Sequence, residues 1–303
     1  MSEKLKILVA YDGSLFADSA LEDMSRIGLP GENVELLLME VAEVWLPPDN
    51  VQTENEPHNF ITEAAHKKIE RNQKLLADAA VSAQNAGRRI FENFPNWVVK
   101  AKATYGSPAW EILFRADEFK PDLIIVGSHG RSMLGRIWLG SVSQKIAAEA
   151  NCSVHVTRGI IKKDNRPAKL IIGYDGTKGA DEAVNTVANR NWMPGSEVKV
   201  IMVEDSIVIQ EAFEFERDIF EKVGSHAVQK LQNAGLKAEL MIVQGNPKHE
   251  ILVEAENFGA DCIFVGATKF DSKLERFLLG SVSSAITARA HCSVEIVRPN
   301  YYR

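Results

Sequence analysis

The sequence predicts an α/β protein of two homologous doubly wound domains, each a mainly parallel five-stranded sheet with helices on both faces. Length is the first observation, because 303 residues exceed the size at which a single hydrophobic core keeps growing. Internal repetition is the second. "KILVAYDGS" from Lys6 returns as "KLIIGYDGT" from Lys169, and "ATYGSPAWEIL" from Ala103 as "MIVQGNPKHEIL" from Met241. "PDLIIVGSHG" from Pro121 returns as "ADCIFVGATK" from Ala260, and "ANCSVHVTR" from Ala150 as "AHCSVEIVR" from Ala290. The third observation is that each unit alternates short β-branched runs with longer helical patterns, which implies a parallel sheet with right-handed crossovers.

In the first unit the strands fall over 7–11, 34–41, 98–104, 123–126 and 154–157, nearly all apolar, as strands covered on both faces must be. Between the second and third, Ile69, Leu76, Ala80, Ala83 and Ile90 recur at steps of three, four and seven and mark one face of a long helix. The matches are not evenly spaced: Asp12 and Asp175 lie 163 apart and Val41 and Val203 162 apart, but Gly106 and Gly245 only 139 apart. The first unit therefore carries about 23 extra residues after its second strand, placed at "AEVWLPPDNVQTENEPHNF" within 42–65. Its prolines and polar residues read as a long surface loop, either a lid or a tolerated insertion. The polar "GIIKKDNRPA" from Gly159 to Ala168 joins domains at 1–158 and 167–303.

Composition excludes several classes. A formal charge of -6 with scattered Lys and Arg argues against nucleic acid or an anionic membrane as main partner. Nowhere do eighteen apolar residues run together, and "MSEKLKILVAYDGS" does not read as an export signal, so the expected location is cytoplasmic. The three cysteines, Cys152, Cys262 and Cys292, have no metal-ligand or C-x-x-C spacing and read as buried small hydrophobes. The seven histidines form no metal-ligand spacing either.

The chemistry concentrates at "GSHGRSMLGRIWLGSVS", from Gly127 to Ser143. It begins where a predicted strand ends, at the mouth where parallel sheets bind ligands. Gly127 and Gly130 permit close backbone approach. Gly140 and Ser141 open a helix whose first amides lack intrahelical partners, a ready phosphate site with the Ser141 and Ser143 hydroxyls as further donors. Ser141 as a plain N-cap is the competing reading. Asp12, ending the first strand, could accept from a ribose or adenine edge or cap the next helix. His129, inside the loop, could contact phosphate or a base, but with nothing to orient it toward a nucleophile it reads as a solvated loop histidine. No Walker A motif, strand-linked G-x-G-x-x-G or G-x-S-x-G turn is present.

Gly127-x2-Gly130-x9-Gly140-Ser141, with "AYDGS", "MEV", "YGSP" and "NCSVHV", resembles the universal stress protein family, twice along the chain as in tandem members. The resemblance implies ATP binding, with or without Mg, wherever the glycine pattern is complete. It puts Ala10 and Asp12 beside ribose and adenine and the Val41 backbone at the adenine edge. Gly127, Gly130, Arg131, Gly140, Ser141, Val142 and Ser143 would then surround ribose and phosphates. Arg131 suits a phosphate electrostatically or stands as a solvated cation.

The expected function is an ATP-binding stress-response or signalling protein with nucleotide in the first domain; a slow ATPase and a scaffold with a vestigial site are the alternatives. In the second domain Lys269 stands where Gly130 stands in the first, and one extra residue precedes Gly280. Normal ATP binding is expected to be lost there, the alternative being that Lys269 offers its charge to an anion in a rearranged pocket. The resemblance also implies pairing of the two domains through "SVHV" and "SVEI", with two such chains then forming a homodimer.

Overall fold

The computed structural model describes residues 4–47, 63–129, 139–161, 166–204, 210–267 and 279–299, with the backbone alone over 210–219. The first half runs β1 (Leu5–Tyr11), α1 (Leu15–Asp23), β2 (Val34–Ala42), α2 (Glu63–Asn93), β3 (Val98–Tyr105), α3 (Pro108–Phe119), β4 (Leu123–Gly127), α4 (Ser141–Glu149) and β5 (Ser153–Thr157). The second repeats the order as β6 (Lys169–Gly173), α5 (Lys178–Ala188), β7 (Glu197–Glu204), α6 (Gln210–Asn233), β8 (Lys237–Gln244), α7 (Pro247–Phe258), β9 (Cys262–Gly266), α8 (Ser281–Arg289) and β10 (Ser293–Val297).

The two five-stranded halves fuse into one ten-stranded sheet ordered β3-β2-β1-β4-β5-β10-β9-β6-β7-β8. Pairing is parallel within each half and antiparallel where β5 meets β10, with His155 opposite Glu295. The two chain-end strands, expected to join the domains, pair with each other and become interior strands, and the exposed edges are β3 and β8. Lys100 and Lys102 on β3 and Lys237 and Glu239 on β8 carry charge along those edges, which discourages further strand addition.

Alternation along β1 sorts the layers. Ile7 and Val9 pack with α1 and α2, whereas Leu8 and Ala10 pack with α3 and α4. The second face is continuous across both halves: Leu8, Ile112, Ile124, Ile146 and Val154 share a core with Ile171, Ile251, Ile263, Ile286 and Val294. Burying each such side chain contributes about 1.5–3 kcal/mol. The other face carries two separate cores, one per half.

Three sequence expectations change. β3 alternates exposed and half-buried residues because it is an edge strand and not covered on both faces. The buried stripe of α2 is Asn72, Ala79, Ala83, Ala86, Gly87 and Ile90, with Ile69, Leu76 and Ala80 flanking it; small residues let the helix lie close on the sheet. α2 has 31 residues and α6 has 24, so about seven of the extra residues lengthen the helix instead of a loop. Of the proposed lid, 48–62 lies outside the described residues.

Candidate functional site

The strand order turns at β1, which pairs β2 on one side and β4 on the other. Chains leaving such neighbours diverge to opposite faces and open a crevice at the strand ends. A cavity of about 870 Å³ lies there, reached by Ala10, Tyr11 and Asp12 of β1 and its turn, Glu40 to Ala42 of β2, and Val126 and Gly127 of β4. Leu139 to Ser143, at the start of α4, close its other end.

Of the sequence-predicted residues, Ala10, Asp12, Val41, Gly127, Gly140, Ser141, Val142 and Ser143 all line this cavity. Gly130 and Arg131 lie outside the described residues. Asp12 is not a helix cap: Ser14 caps α1, its Oγ accepting from the Ala17 amide at 3.1 Å. Asp12 Oδ1 accepts from the Ser14 amide at 3.0 Å, which holds the carboxylate in the cavity wall. Gly140 is the N-cap of α4, so Ser141 is its first helical residue and not a cap. Among the described residues no side chain caps α4, and its first intrahelical bond runs from the Gln144 amide to the Gly140 carbonyl at 2.9 Å. The amides of Ser141, Val142 and Ser143 are the unsatisfied donors of that helix start, at the positive end of its dipole.

Two serines expected to act alike do not. Ser141 is exposed, whereas Ser143 is buried with its Oγ 2.9 Å from the Ser128 carbonyl and 3.0 Å from the Gly140 carbonyl. With one proton to donate, that hydroxyl ties α4 to the end of β4. Gly127 also has a packing duty, since a β-carbon there would stand 2.7 Å from the Phe16 carbonyl carbon and oxygen. His129 is buried, not solvated: its ring packs 5.1 Å from that of Phe16, and Nδ1 is 3.2 Å from Ser128 Oγ.

Sequence reading missed the wall supplied by α2, where Leu75, Asp78, Ala79 and Ser82 reach the same cavity. Their spacing of three and four on one helix face was the available signal. Asn72, one turn earlier, donates its Nδ2 to the Trp45 carbonyl at 2.8 Å, fixing the segment after β2 in which Glu43 and Val44 complete the rim. Among the described residues there is no cluster of three His, Cys, Asp or Glu able to hold a metal, and no helix long and apolar enough to cross a membrane. All three cysteines are buried and free, and burial pushes the Cys262 thiol up to about 11.

A sequence profile of the universal stress protein family matches residues 5–158 and again 168–298. The chain belongs to that family. Universal stress protein Rv2005c of Mycobacterium tuberculosis is 26% identical over 310 residues, covering 96% of each chain. A single-length relative, "Universal stress protein in QAH/OAS sulfhydrylase 3'region" of Thermus aquaticus, is 34% identical over 152 residues, covering 50% of this chain and 97% of its own. The crystal structure of a universal stress protein from Archaeoglobus fulgidus shares the fold over 97% of this chain and 98% of its own, with a TM-score of 0.61 at 22% identity.

The second universal stress protein half repeats the scaffold, with changes at positions that match the first half's cavity. Asp175 Oδ1 accepts from the Thr177 amide at 3.0 Å and its hydroxyl at 2.6 Å, as Asp12 does from the Ser14 amide. Ser283 Oγ donates to the Gly266 carbonyl at 2.9 Å, and Gly280 caps α8. Gly173, however, stands where Ala10 stands in the first half, and a β-carbon on it would lie 3.1 Å from Ile251 Cδ1. Lys269 lies outside the described residues.

Proposed function

We propose that this universal stress protein binds ATP in its first half and works as a nucleotide-responsive regulatory protein in stress response or signalling. The observation that carries the reading is the separation of chemistry within the 870 Å³ cavity. Acceptors gather at the strand end, where Asp12, Glu40 and the backbone of Val41 suit ribose hydroxyls and an adenine amine. Donors gather at the other end, where the open N-terminus of α4 suits phosphate. A volume of this size is ordinary for a nucleotide-sized ligand.

In this reading Ala10 and Val41 flank the base, and Gly140, Ser141 and Val142 present amides to phosphate. Ser143 positions that helix start by its bond to Ser128. Arg131 and Gly130 belong to the same phosphate loop by sequence, and magnesium would accompany the phosphates. The second half keeps the fold and does not bind ATP normally. Domain limits at 1–158 and 167–303, a cytoplasmic location and assembly of two chains complete the proposal. Mass analysis of ligand released from purified protein, followed by titration calorimetry, tests it. One ATP per chain is expected for wild type and none for Gly130→Lys; equal affinity in both would overturn the assignment.

A further inference from the structure

The seam between the halves contains charges that shape alone does not require. In the antiparallel register Val156 faces Val294, His155 faces Glu295 and Val154 faces Ile296. The outer pairs are aliphatic on both strands, so a first half could pair with a second copy of itself in the same register without losing packing. The central pair is different. His155 and Glu295 are both fully buried, with Nδ1 3.1 Å from Oε2.

Each member is backed by its own half. His155 Nε2 lies 2.9 Å from Asp23 Oδ2 at the end of α1, and Glu295 pairs with Arg190 just past α5. The supporting residues differ between halves in the same sense as the central pair. At 163 positions on, Asp23 becomes Thr186, and Ile27 becomes Arg190. Three related positions are therefore complementary between the halves and not self-complementary within either.

We infer that these buried charges form a pairing code, by which the β5 edge accepts the β10 edge and rejects a second copy of itself, so that the partner surface for a first half is a second half from this chain or another copy. A pair of second halves would set two carboxylates directly opposite each other in a dry seam, where like charges are destabilising and neither can be solvated. A pair of first halves would turn Nδ1 of each imidazole from a carboxylate toward another imidazole. The antiparallel β5–β10 pair satisfies all four charged groups in one line, Asp23 to His155 to Glu295 to Arg190. Specificity here comes from repulsion in the wrong pairs as much as attraction in the right one.

The test replaces residues 162–165 of the full chain by a protease site, cuts the purified folded protein, mixes isotopically light and heavy preparations, and weighs the pairs by native mass spectrometry. Exchange is expected to yield first-with-second pairs, light and heavy mixed, with like pairs at least about tenfold rarer. Like pairs as abundant as unlike ones in the wild type would overturn the inference. Glu295→Gln keeps the shape and removes the repulsion, so second-with-second pairs should rise about tenfold. His155→Gln is the matching variant for first-with-first pairs, and should either fail to fold, the wild-type exchange still decides. Selectivity unchanged in a folded Glu295→Gln protein would remove charge as its source.

Discussion

Arg158 and Arg298 reach into each other's half. The Arg158 guanidinium donates to the Thr287 carbonyl near the end of α8, and the Arg298 guanidinium donates to the Ala147 carbonyl near the end of α4. Each stands one residue beyond its strand, β5 or β10, and each is buried. A cation at a helix C-terminus meets both the unsatisfied carbonyls and the negative end of the dipole. The two halves thus close each other's last helices reciprocally, over the core they share.

Replacing either arginine by methionine keeps much of the buried stem and removes the donors. A loss of about 1–3 kcal/mol in unfolding free energy is expected for Arg158→Met, and a similar one for Arg298→Met. Urea denaturation measures it. ATP affinity should stay within about twofold, since neither residue lines the cavity. A large affinity loss at unchanged stability would contradict a purely structural role.

The seam charges set a pH window. Burial alone would depress His155, but hydrogen bonds and charge from Asp23 and Glu295 hold it protonated well above 6.5. Burial would likewise raise Asp23 and Glu295, yet His155 and Arg190 hold both below their usual values of 3.8 and 4.5. The raised histidine stabilises fully below 6.5 and loses its contribution as pH rises through its folded value. The depressed carboxylates stabilise above 4.5 and lose theirs as pH falls. Unfolding free energy should therefore peak between about pH 4.5 and 6.5 and decline above that by about 1.4 kcal/mol per pH unit. His155→Gln should flatten the alkaline limb; an unchanged slope would place the titration elsewhere.

Gly127 and Gly266 are retained in both halves although only the first is proposed to hold ATP. A β-carbon at Gly266 would stand 2.2 Å from the Gly179 carbonyl carbon, matching the 2.7 Å approach of Gly127 to Phe16. The obstructing atoms are backbone, so α1 or α5 would have to shift from its strand. Gly127→Ala and Gly266→Ala should each destabilise by about 1–3 kcal/mol. Thermal unfolding in the absence of nucleotide is the readout, and a neutral Gly266→Ala would refute this account of why the residue recurs.

Much of this was legible in sequence, for identifiable reasons. Repeats such as "YDGS" and "YDGT" fix element order because a turn, a cap and a carboxylate must sit together at a strand end. Asp12 was singled out because parallel strands end at the mouth, whereas Ala10 and Val41 came only from the family resemblance; all three line the cavity. The α2 wall was not found: the spacing of Leu75, Asp78 and Ser82 marks one helix face, but that this face enters the cavity depends on Ala79 and Ala83 bringing the helix close to the sheet. His129 was misread because a loop position gives no sign that Phe16 will cover it. The seam was half legible, since strand pairing follows from edges, whereas His155 opposite Glu295 depends on a register that only the fused sheet supplies.

The last prediction is that occupancy is one ATP per chain, and that loss in the second half begins beneath the loop. Gly173 stands at the position Ala10 holds in the first-half cavity, and a β-carbon on it would lie 3.1 Å from Ile251 Cδ1. The corresponding Ile112 in the first half lines the open cavity beside Ala10. Restoring glycine at Lys269 would give the loop back its freedom but leave that position altered. Asp175→Ala should therefore leave ATP binding unchanged, and Lys269→Gly alone should not raise stoichiometry above one. Asp12→Ala should weaken binding about tenfold or more, equivalent to losing a charge-assisted hydrogen bond of about 1.5–3 kcal/mol. Calorimetric titration of the full chain separates these variants by stoichiometry and affinity together. Two sites of similar affinity in wild type, or a second site created by Lys269→Gly alone, would show that the loop and not the Gly173 position governs the second half.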